Sequence, residues 1–343
     1  MNSPWRRRRI ACLSGSACLC VLLASGCGTV TPNSSSSGST GSTTAASTTI
    51  SAGPQLGLAW DTADSTLRPL AGIPGSTQLG APLFPAGTWV TGAFTPSTQS
   101  ALLIDPSGKL QLLALPSLQP QTLTSHVAAG SSIVFAPHGA WAAVFLPGSA
   151  SALVIGGLPQ SVTVNPLTVS SAIRGAAISD AGTLLLATDS APGIAVTSIA
   201  ADGTRSTVAA LQGFGGMAFL PGSENFLLAD SVANTLALWR NGAASTLATK
   251  AAGLNQPFAV AVSQDSRWAV AADRADSTLL RIDLAGTTPP VPSTCACSPS
   301  QLTALNGNAV FELIPPGAAP GWMIEADDVA PRVLFIPPPR SSQ

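Results

Sequence analysis

Short apolar runs alternate with polar turns along this chain, and the pattern repeats about every 42 residues. The clearest copies read Gly-Met-Ala-Phe-Leu-Pro-Gly-Ser-Glu-Asn-Phe-Leu-Leu-Ala-Asp at 216–230 and Ala-Val-Ala-Val-Ser-Gln-Asp-Ser-Arg-Trp-Ala-Val-Ala-Ala-Asp at 259–273. Each copy predicts an apolar strand, a turn and a second apolar strand that ends in Asp. A period of this length with several short strands per unit is typical of a β-propeller blade.

The repeats align on the turn that follows the first strand of each unit. Successive turns are 41, 42, 42, 43 and 51 residues apart and fall at Pro96, Pro137, Ser179, Pro221, Gln264 and Pro315. We interpret the long last interval as a loop insertion that carries Cys295 and Cys297. This alignment also makes 309–313 the first strand of the last blade.

The ends of the repeat region predict how the ring closes. Residues 55–82 align with the latter part of a blade, and the last unit ends soon after its third strand. We therefore expect strands from both termini to complete one sheet, which would remove a free sheet edge. Residues 55–343, at about 42 residues per blade, predict an all-β propeller of seven four-stranded antiparallel blades, with six and eight as the alternatives.

One stretch carries a family resemblance. Residues 258–284 read Phe-Ala-Val-Ala-Val-Ser-Gln-Asp-Ser-Arg-Trp-Ala-Val-Ala-Ala-Asp-Arg-Ala-Asp-Ser-Thr-Leu-Leu-Arg-Ile-Asp-Leu and follow Gly-Leu-Asn-Gln-Pro at 253–257. They resemble the YVTN and NHL repeats of bacterial propellers, and the resemblance covers nearly the whole folded part. It implies the fold but no single function, because that class includes lactonases, lyases, sensors and scaffolds.

The amino terminus predicts export. Four arginines at 6–9 precede an apolar stretch at 10–25, which is too short for a comfortable membrane span and is typical of a signal peptide. The stretch ends Leu-Ala-Ser-Gly-Cys27, which resembles a bacterial lipobox. We expect a signal peptide over 1–26 and a lipid on Cys27. An ordinary secretory peptide is the alternative, and the sequence leaves the Sec and Tat export routes open.

The segment after the lipobox predicts a tether. Residues 27–54 are rich in Ser, Thr and Gly and cannot bury apolar surface, so we expect them to be flexible. Residue 28 is Gly and not Asp, so the common signal for retention in the inner membrane is absent. These features predict a protein of the bacterial cell envelope that is anchored by lipid to the outer membrane.

Composition supports the predicted fold and narrows the partners. The chain is 45% hydrophobic and only 9% charged, with 32 Gly and 29 Pro, as expected for short strands joined by many tight turns. Outside the signal peptide there is no basic run, so we expect no nucleic-acid partner. We expect a monomer that contains no cofactor.

Most acidic residues and both late cysteines have a structural explanation. Asp residues recur where the second strand of a unit ends, where a carboxylate accepts backbone N–H groups of the turn. Cys295 and Cys297 predict a local disulfide, since the exported compartment is oxidising, with free thiols as the alternative. A metal site is not expected, because only two histidines are available to complete it.

Polar residues in the connections between blades form the candidate ligand face. In propellers these connections open on the face that usually binds ligands, and ordinary loop polarity is the alternative explanation. Glu312, on a strand expected to line the central channel, is the carboxylate least explained by turns. The candidate ligand residues are His126, Arg174, Gln212, Asn255, Gln256, Asn308 and Glu312.

Two functional hypotheses follow. The first is a non-enzymatic scaffold that holds a protein or glycan partner at the envelope, an arrangement similar to that of propeller lipoproteins of outer-membrane assembly. The second is a lactonase-like hydrolase that uses a channel carboxylate, with or without a metal. The hydrolase would require Glu312 to converge with Arg174, Asn255 and Asn308 at one channel mouth, and no catalytic residue can be assigned from sequence motifs.

Overall fold

The computed structural model describes residues 53–338, apart from Thr98, Pro116 and Asp328. The predicted signal peptide, Cys27 and nearly all of the predicted tether lie outside these residues. The described part contains 27 strands and one 3₁₀ helix, Lys250–Ala252. Within this range no helix has the length and apolar character needed to cross a membrane.

The strands form seven antiparallel sheets in a ring, which confirms the predicted seven-bladed propeller. Six blades have four strands, and the described part of blade 1 has three. Blade 1 consists of β1 (Gln55–Asp61), β2 (Thr66–Ile73) and β3 (Ser76–Leu79). Blade 2 consists of β4 (Thr91–Phe94), β5 (Ser100–Ile104), β6 (Leu110–Ala114) and β7 (Gln119–Thr124). Blade 3 consists of β8 (Ser132–Phe135), β9 (Trp141–Phe145), β10 (Ser151–Gly156) and β11 (Thr163–Thr168).

Blades 4 to 7 follow in chain order. Blade 4 consists of β12 (Ile173–Ile178), β13 (Leu184–Asp189), β14 (Ile194–Ile199) and β15 (Arg205–Leu211). Blade 5 consists of β16 (Phe214–Phe219), β17 (Phe226–Asp230), β18 (Thr235–Arg240) and β19 (Ala243–Thr249). Blade 6 consists of β20 (Pro257–Val262), β21 (Trp268–Asp273), β22 (Thr278–Asp283) and β23 (Val291–Thr294). Blade 7 consists of β24 (Thr303–Ala304), β25 (Val310–Ile314), β26 (Gly321–Glu325) and β27 (Arg332–Ile336).

The hydrophobic core lies between blades. Six apolar clusters fill the spaces between neighbouring sheets, and the largest joins blades 7, 1 and 2. The second strands are buried on both faces, as β5 and β21 show, whereas the outer strands β7 and β19 are largely exposed. This explains why second strands read as continuous apolar runs and outer strands do not, since each sheet packs against a neighbour on both sides.

The strand order of the last blade differs from the sequence prediction. The innermost strand is β24, and 309–313, which was predicted to be the first strand, falls on the second strand, β25. In blades 2 to 7 one backbone hydrogen bond closes the turn after the inner strand. The N–H of the first residue of the turn donates to a carbonyl at the start of the second strand. These donors are spaced regularly, 41 to 43 residues apart, at Thr95, Ala136, Ser179, Leu220, Ser263 and Leu305. The predicted 51-residue interval was therefore wrong, because Pro315 lies one strand too late.

The ring also closes differently from the prediction. Within the described residues, no strand from the carboxyl-terminal part joins the sheet of blade 1. Blades 7 and 1 meet side by side instead: the Asn306 backbone N–H donates to the Leu56 carbonyl at 2.7 Å, and that of Thr62 donates to the Pro316 carbonyl at 3.0 Å. The shared apolar cluster then holds this seam.

The propeller has two distinct ends. We call "turn face" the end that carries the turns after the inner strands of blades 2 to 7. We call "linker face" the end that carries the connections leading into the inner strands. On the turn face, Asp180 ties three blades together: it accepts from the backbone and Nδ1 of His138, at 2.7 and 2.8 Å, and from the Gly222 N–H at 2.8 Å.

Replacing Asp180 by Ala should lower the free energy of unfolding by about 1–3 kcal/mol, because three hydrogen bonds that cross blade boundaries are lost. The matched control is Asp202→Ala, since Asp202 is an exposed turn carboxylate that accepts from Thr204 within its own blade. Urea unfolding of both variants measures the difference. Equal effects of the two substitutions would contradict a special role for the contacts between blades.

Candidate functional site

The inner strands surround a central cavity of about 570 Å³. Its wall combines apolar and polar surface and includes five aromatic residues, Trp60, Phe94, Phe135, Phe219 and Phe311. The cavity falls in the size range of small-molecule sites, which combine apolar walls with a few polar groups. Among the residues that line it, Glu312 is the only one with an ionisable side chain.

Glu312 is 1% exposed and lies at the cavity wall. It lies on the second strand of blade 7, β25, opposite Thr303 of the two-residue strand β24. The Gln301 side-chain amide donates to Glu312 Oε2 at 2.5 Å. Oε1 has no hydrogen-bond partner among the described residues. Burial raises the pKa of Glu312 to about 8, and the Gln301 bond offsets only part of that rise.

The cavity wall extends to the turn face. A smaller hollow of about 220 Å³ on this face shares Pro96, Pro137 and Gln264 with the cavity wall. The side chains of His138 and Asn306 lie at the rim of this hollow. His138 is held by Asp180, and the carboxylate as acceptor places the proton on Nδ1, so that Nε2 is the other ring nitrogen available for a ligand.

The linker face holds most of the predicted ligand residues, and contacts within blades and between neighbouring blades use some of their polar groups. Arg174 makes a two-bond ion pair with Asp189, at 2.6 and 2.7 Å, and this hydrogen bonding lowers the pKa of Asp189. The backbone N–H of Gln212 donates to Asp230 at 2.6 Å, and that of Gln256 donates to Asn234 at 2.6 Å. These contacts fix the connections between blades.

His126 and Asn255 also lie on the linker face. His126 is exposed, and its Nδ1 lies 2.9 Å from the Ser125 hydroxyl. Asn255 donates through its backbone to Asp273 at 2.9 Å and through its side chain to Asp276 at 3.4 Å. Both residues precede inner strands, as the sequence predicted.

Asn308 does not belong to the linker face. It precedes β25, so it lies in a turn on the opposite end of the propeller. There it binds the neighbouring turn of blade 6: its carbonyl accepts from the Gln264 N–H at 2.7 Å, and its side chain exchanges two hydrogen bonds with Asp265. The structure therefore does not bring Glu312, Arg174, Asn255 and Asn308 to one point.

The recurring Asp at the end of the second strand is a turn-forming residue, as predicted. Asp230 accepts four backbone N–H groups, from Gln212, Gly213, Val232 and Ala233. The equivalent Asp273 is fully buried and accepts from the Asn255 N–H, and burial raises its pKa to about 7.

The predicted loop insertion carries a disulfide, and the described residues offer no metal site. Cys295 and Cys297 form a disulfide, with Cα atoms 4.9 Å apart, and Cys295 is buried in the apolar cluster between blades 6 and 7. Within 53–338 and its described residues, no three His, Cys, Asp or Glu side chains cluster in a way that would hold a metal ion.

Sequence reasoning missed Gln301 and the His138–Asp180 pair. A signal for the pair existed, because the two residues are 42 apart and so occupy equivalent turns of adjacent blades. The Asn-Gly sequence at 306–307 is a strong turn signal and would have corrected the strand order of blade 7. Gln301 carried no such signal, because its role depends on the shortness of β24.

Comparison with known structures supports the fold. A streptogramin B lyase structure is 13% identical with a TM-score of 0.54, over 80% of this chain and 86% of that chain. A functionally unknown protein from Desulfotomaculum acetoxidans DSM 771 is 12% identical with a TM-score of 0.54, over 82% and 98% of the two chains. The β-propeller domain of Myceliophteria thermophila Cps50 (Swd1) is 9% identical with a TM-score of 0.54, over 74% and 88%.

At these identities the likeness shows the fold alone. No protein-family model matches the chain, and no curated protein matches it by sequence. The resemblance to YVTN and NHL repeats therefore stays a prediction.

The raised pKa of Glu312 predicts a pH-dependent stability. Between about pH 4.5 and pH 8 the folded protein keeps a proton that the unfolded chain releases, so the free energy of unfolding should fall as pH rises through this window. Asp273 contributes in the same direction up to about pH 7. Glu312→Gln should flatten the decline most clearly between pH 7 and 8, where Glu312 keeps more of its proton than Asp273 does.

Urea unfolding between pH 5 and pH 9 measures this decline. The control is Glu224→Gln, which replaces an exposed turn residue. Because the chain has only three glutamates, at 224, 312 and 325, ¹³C-labelled glutamate also gives the pKa of each carboxyl by NMR. A Glu312 pKa near 4.5 in the folded protein would contradict the prediction.

Proposed function

We propose that this protein is a non-enzymatic binding propeller of the bacterial envelope, anchored through a lipid on Cys27, that holds a protein or glycan partner on its turn face. One observation carries the proposal. The turns of neighbouring blades are hydrogen-bonded to one another around a mouth that leads into the central cavity. Such a preorganised rim suits binding, because little conformational entropy is lost when a partner docks.

The predicted ligand site on the linker face gains less support. Several of its polar groups are already engaged: Arg174 pairs with Asp189 of its own blade, and the backbone N–H groups of Gln212 and Gln256 fix connections between blades. The turn face instead presents polar side chains beside an open hollow. We therefore place the partner site at the rim formed by His138, Gln264 and Asn306.

A lactonase-like hydrolase is the alternative. A buried carboxyl with a raised pKa is the kind of group that enzymes use as a general acid or base, and Glu312 favours this alternative to that extent. The expected assembly with Arg174, Asn255 and Asn308 is not supported, since those residues are engaged elsewhere. The likeness to a streptogramin B lyase is one of fold.

The two histidines give a matched test of the binding face. Glycan and peptide panels are applied to the purified mature chain and to His138→Ala and His126→Ala, with thermal unfolding of each variant as a control. We expect His138→Ala on the turn face to weaken binding about tenfold or more, and His126→Ala on the linker face to leave it unchanged. The opposite result would move the partner site to the linker face.

A panel of lactones, followed by product chromatography, tests the hydrolase alternative. We expect no turnover above the uncatalysed rate. Turnover that disappears in Glu312→Gln and persists in Glu224→Gln would overturn the non-enzymatic proposal.

Lipid anchoring is tested separately in cells. Labelled palmitate should enter the wild-type protein, which should fractionate with the outer membrane, because a lipid chain on the amino-terminal Cys supplies the membrane affinity. Cys27→Ala should lose the label and be released from the membrane. The matched control, Cys20→Ala, lies within the predicted signal peptide and should keep both properties. Retained label in Cys27→Ala would contradict the lipobox assignment.

A further inference from the structure

We propose that the central cavity binds a small organic cation, a primary or secondary ammonium with an apolar tail, through Glu312. This inference rests on the proposed binding function and adds a second ligand, within the cavity, to the partner on the turn face. It is carried by the free acceptor of Glu312, by the charge of the wall and by the aromatic side chains around the cavity.

The free acceptor is the first argument. Glu312 Oε1 is buried and has no partner among the described residues, while Oε2 is satisfied by Gln301. A buried carboxyl oxygen left without a partner is destabilising, because burial removes its hydrogen bonds to water. Because Oε1 has almost no accessible surface, the carboxyl must turn toward the cavity to accept a ligand N–H group, and that contact would restore the missing bond.

The charge of the wall is the second argument. Among the described residues that line the cavity, Glu312 alone has an ionisable side chain, so no described Lys, Arg or His contributes to the wall. Gln301 is the neighbour that affects the Glu312 pKa, and no charged neighbour contributes to it. An anionic ligand would find no counter-charge in this cavity, whereas a cation would stabilise the ionised form of Glu312 in a low-dielectric site.

The aromatic wall is the third argument. Five aromatic residues contribute to the wall, and two of them, Trp60 and Phe135, are partly exposed, whereas Phe94, Phe219 and Phe311 are buried between blades. Aromatic faces attract ammonium groups through the ring quadrupole and also pack against an apolar tail. Size is compatible, because about 570 Å³ lies within the range of small-molecule pockets.

Binding of an ammonium has a proton balance that can be measured. In the empty protein at pH 7 most Glu312 carboxyls are protonated, given a pKa of about 8. When the ammonium binds, Glu312 becomes a carboxylate and its proton leaves to the solvent. The ligand keeps its own charge, because an alkylamine has a pKa like that of lysine, about 10.4.

Isothermal titration calorimetry with 2-phenylethylammonium, on the full mature chain and in two buffers of different ionisation enthalpy, tests the proposal. We expect about 0.9 proton to be released per bound ligand at pH 7 and about 0.1 at pH 9. The dissociation constant should be about tenfold lower at pH 9 than at pH 7. Both effects should vanish in Glu312→Gln, which should also bind more weakly, and should persist in Glu224→Gln.

Two related ligands separate the contributions. The neutral 2-phenylethanol should bind more weakly at pH 9 and release no proton, and the trimethylated ammonium, which lacks an N–H, should bind more weakly than the primary amine. Equal affinity for the alcohol and the amine at pH 9, or absence of amine binding, would overturn the proposal. Proton release that survives in Glu312→Gln would do the same.

If Glu312→Gln does not fold, ¹³C NMR of the wild-type protein tests whether the amine binds at Glu312. The carboxyl signal of Glu312, one of three glutamates, should move on titration with the amine at pH 7, while those of Glu224 and Glu325 stay fixed. Movement of another glutamate alone would overturn the site. Loss of amine binding with an intact response on the turn face would reject this inference and leave the proposed function standing.

Discussion

The packing of one sheet face against the next is the interaction on which this propeller depends. The second strands are apolar on both sides, so no blade can bury its own residues and each requires two neighbours. Seven such blades satisfy one another only as a ring, and the inner strands then surround a space that short side chains such as Ala93, Ala177 and Ala261 do not fill. The cavity is therefore a result of the way the core is built.

The same ring explains why some polar groups stabilise the fold and others remain exposed for a binding partner. On the linker face, carboxylates such as Asp230 accept the backbone N–H groups that begin and end each connection. On the turn face, Asp180 joins turns of adjacent blades and leaves a hollow with exposed polar groups beside it. Glu312 belongs to neither set, because one of its oxygens has no partner among the described residues.

Sequence periodicity predicted the class of fold and the number of blades because strand length, turn chemistry and apolar alternation are local properties. It misplaced blade 7, since the inner strand β24 is too short to show as an apolar run and the more apolar 309–313 was aligned in its place. The site was predicted only in part. Glu312 was identified by elimination, but its partner Gln301 depends on a tertiary contact across the β24–β25 pair, which no local pattern records.

The side-by-side seam between blades 7 and 1 has a consequence for how such a protein can change over generations. Because every described sheet is taken from one uninterrupted stretch of chain, a blade is also a single segment of the coding sequence. A duplication or deletion of about 42 codons would then add or remove a whole sheet without dividing another, and only the packing at the seam would have to adapt. Ring size is thereby open to change by ordinary recombination.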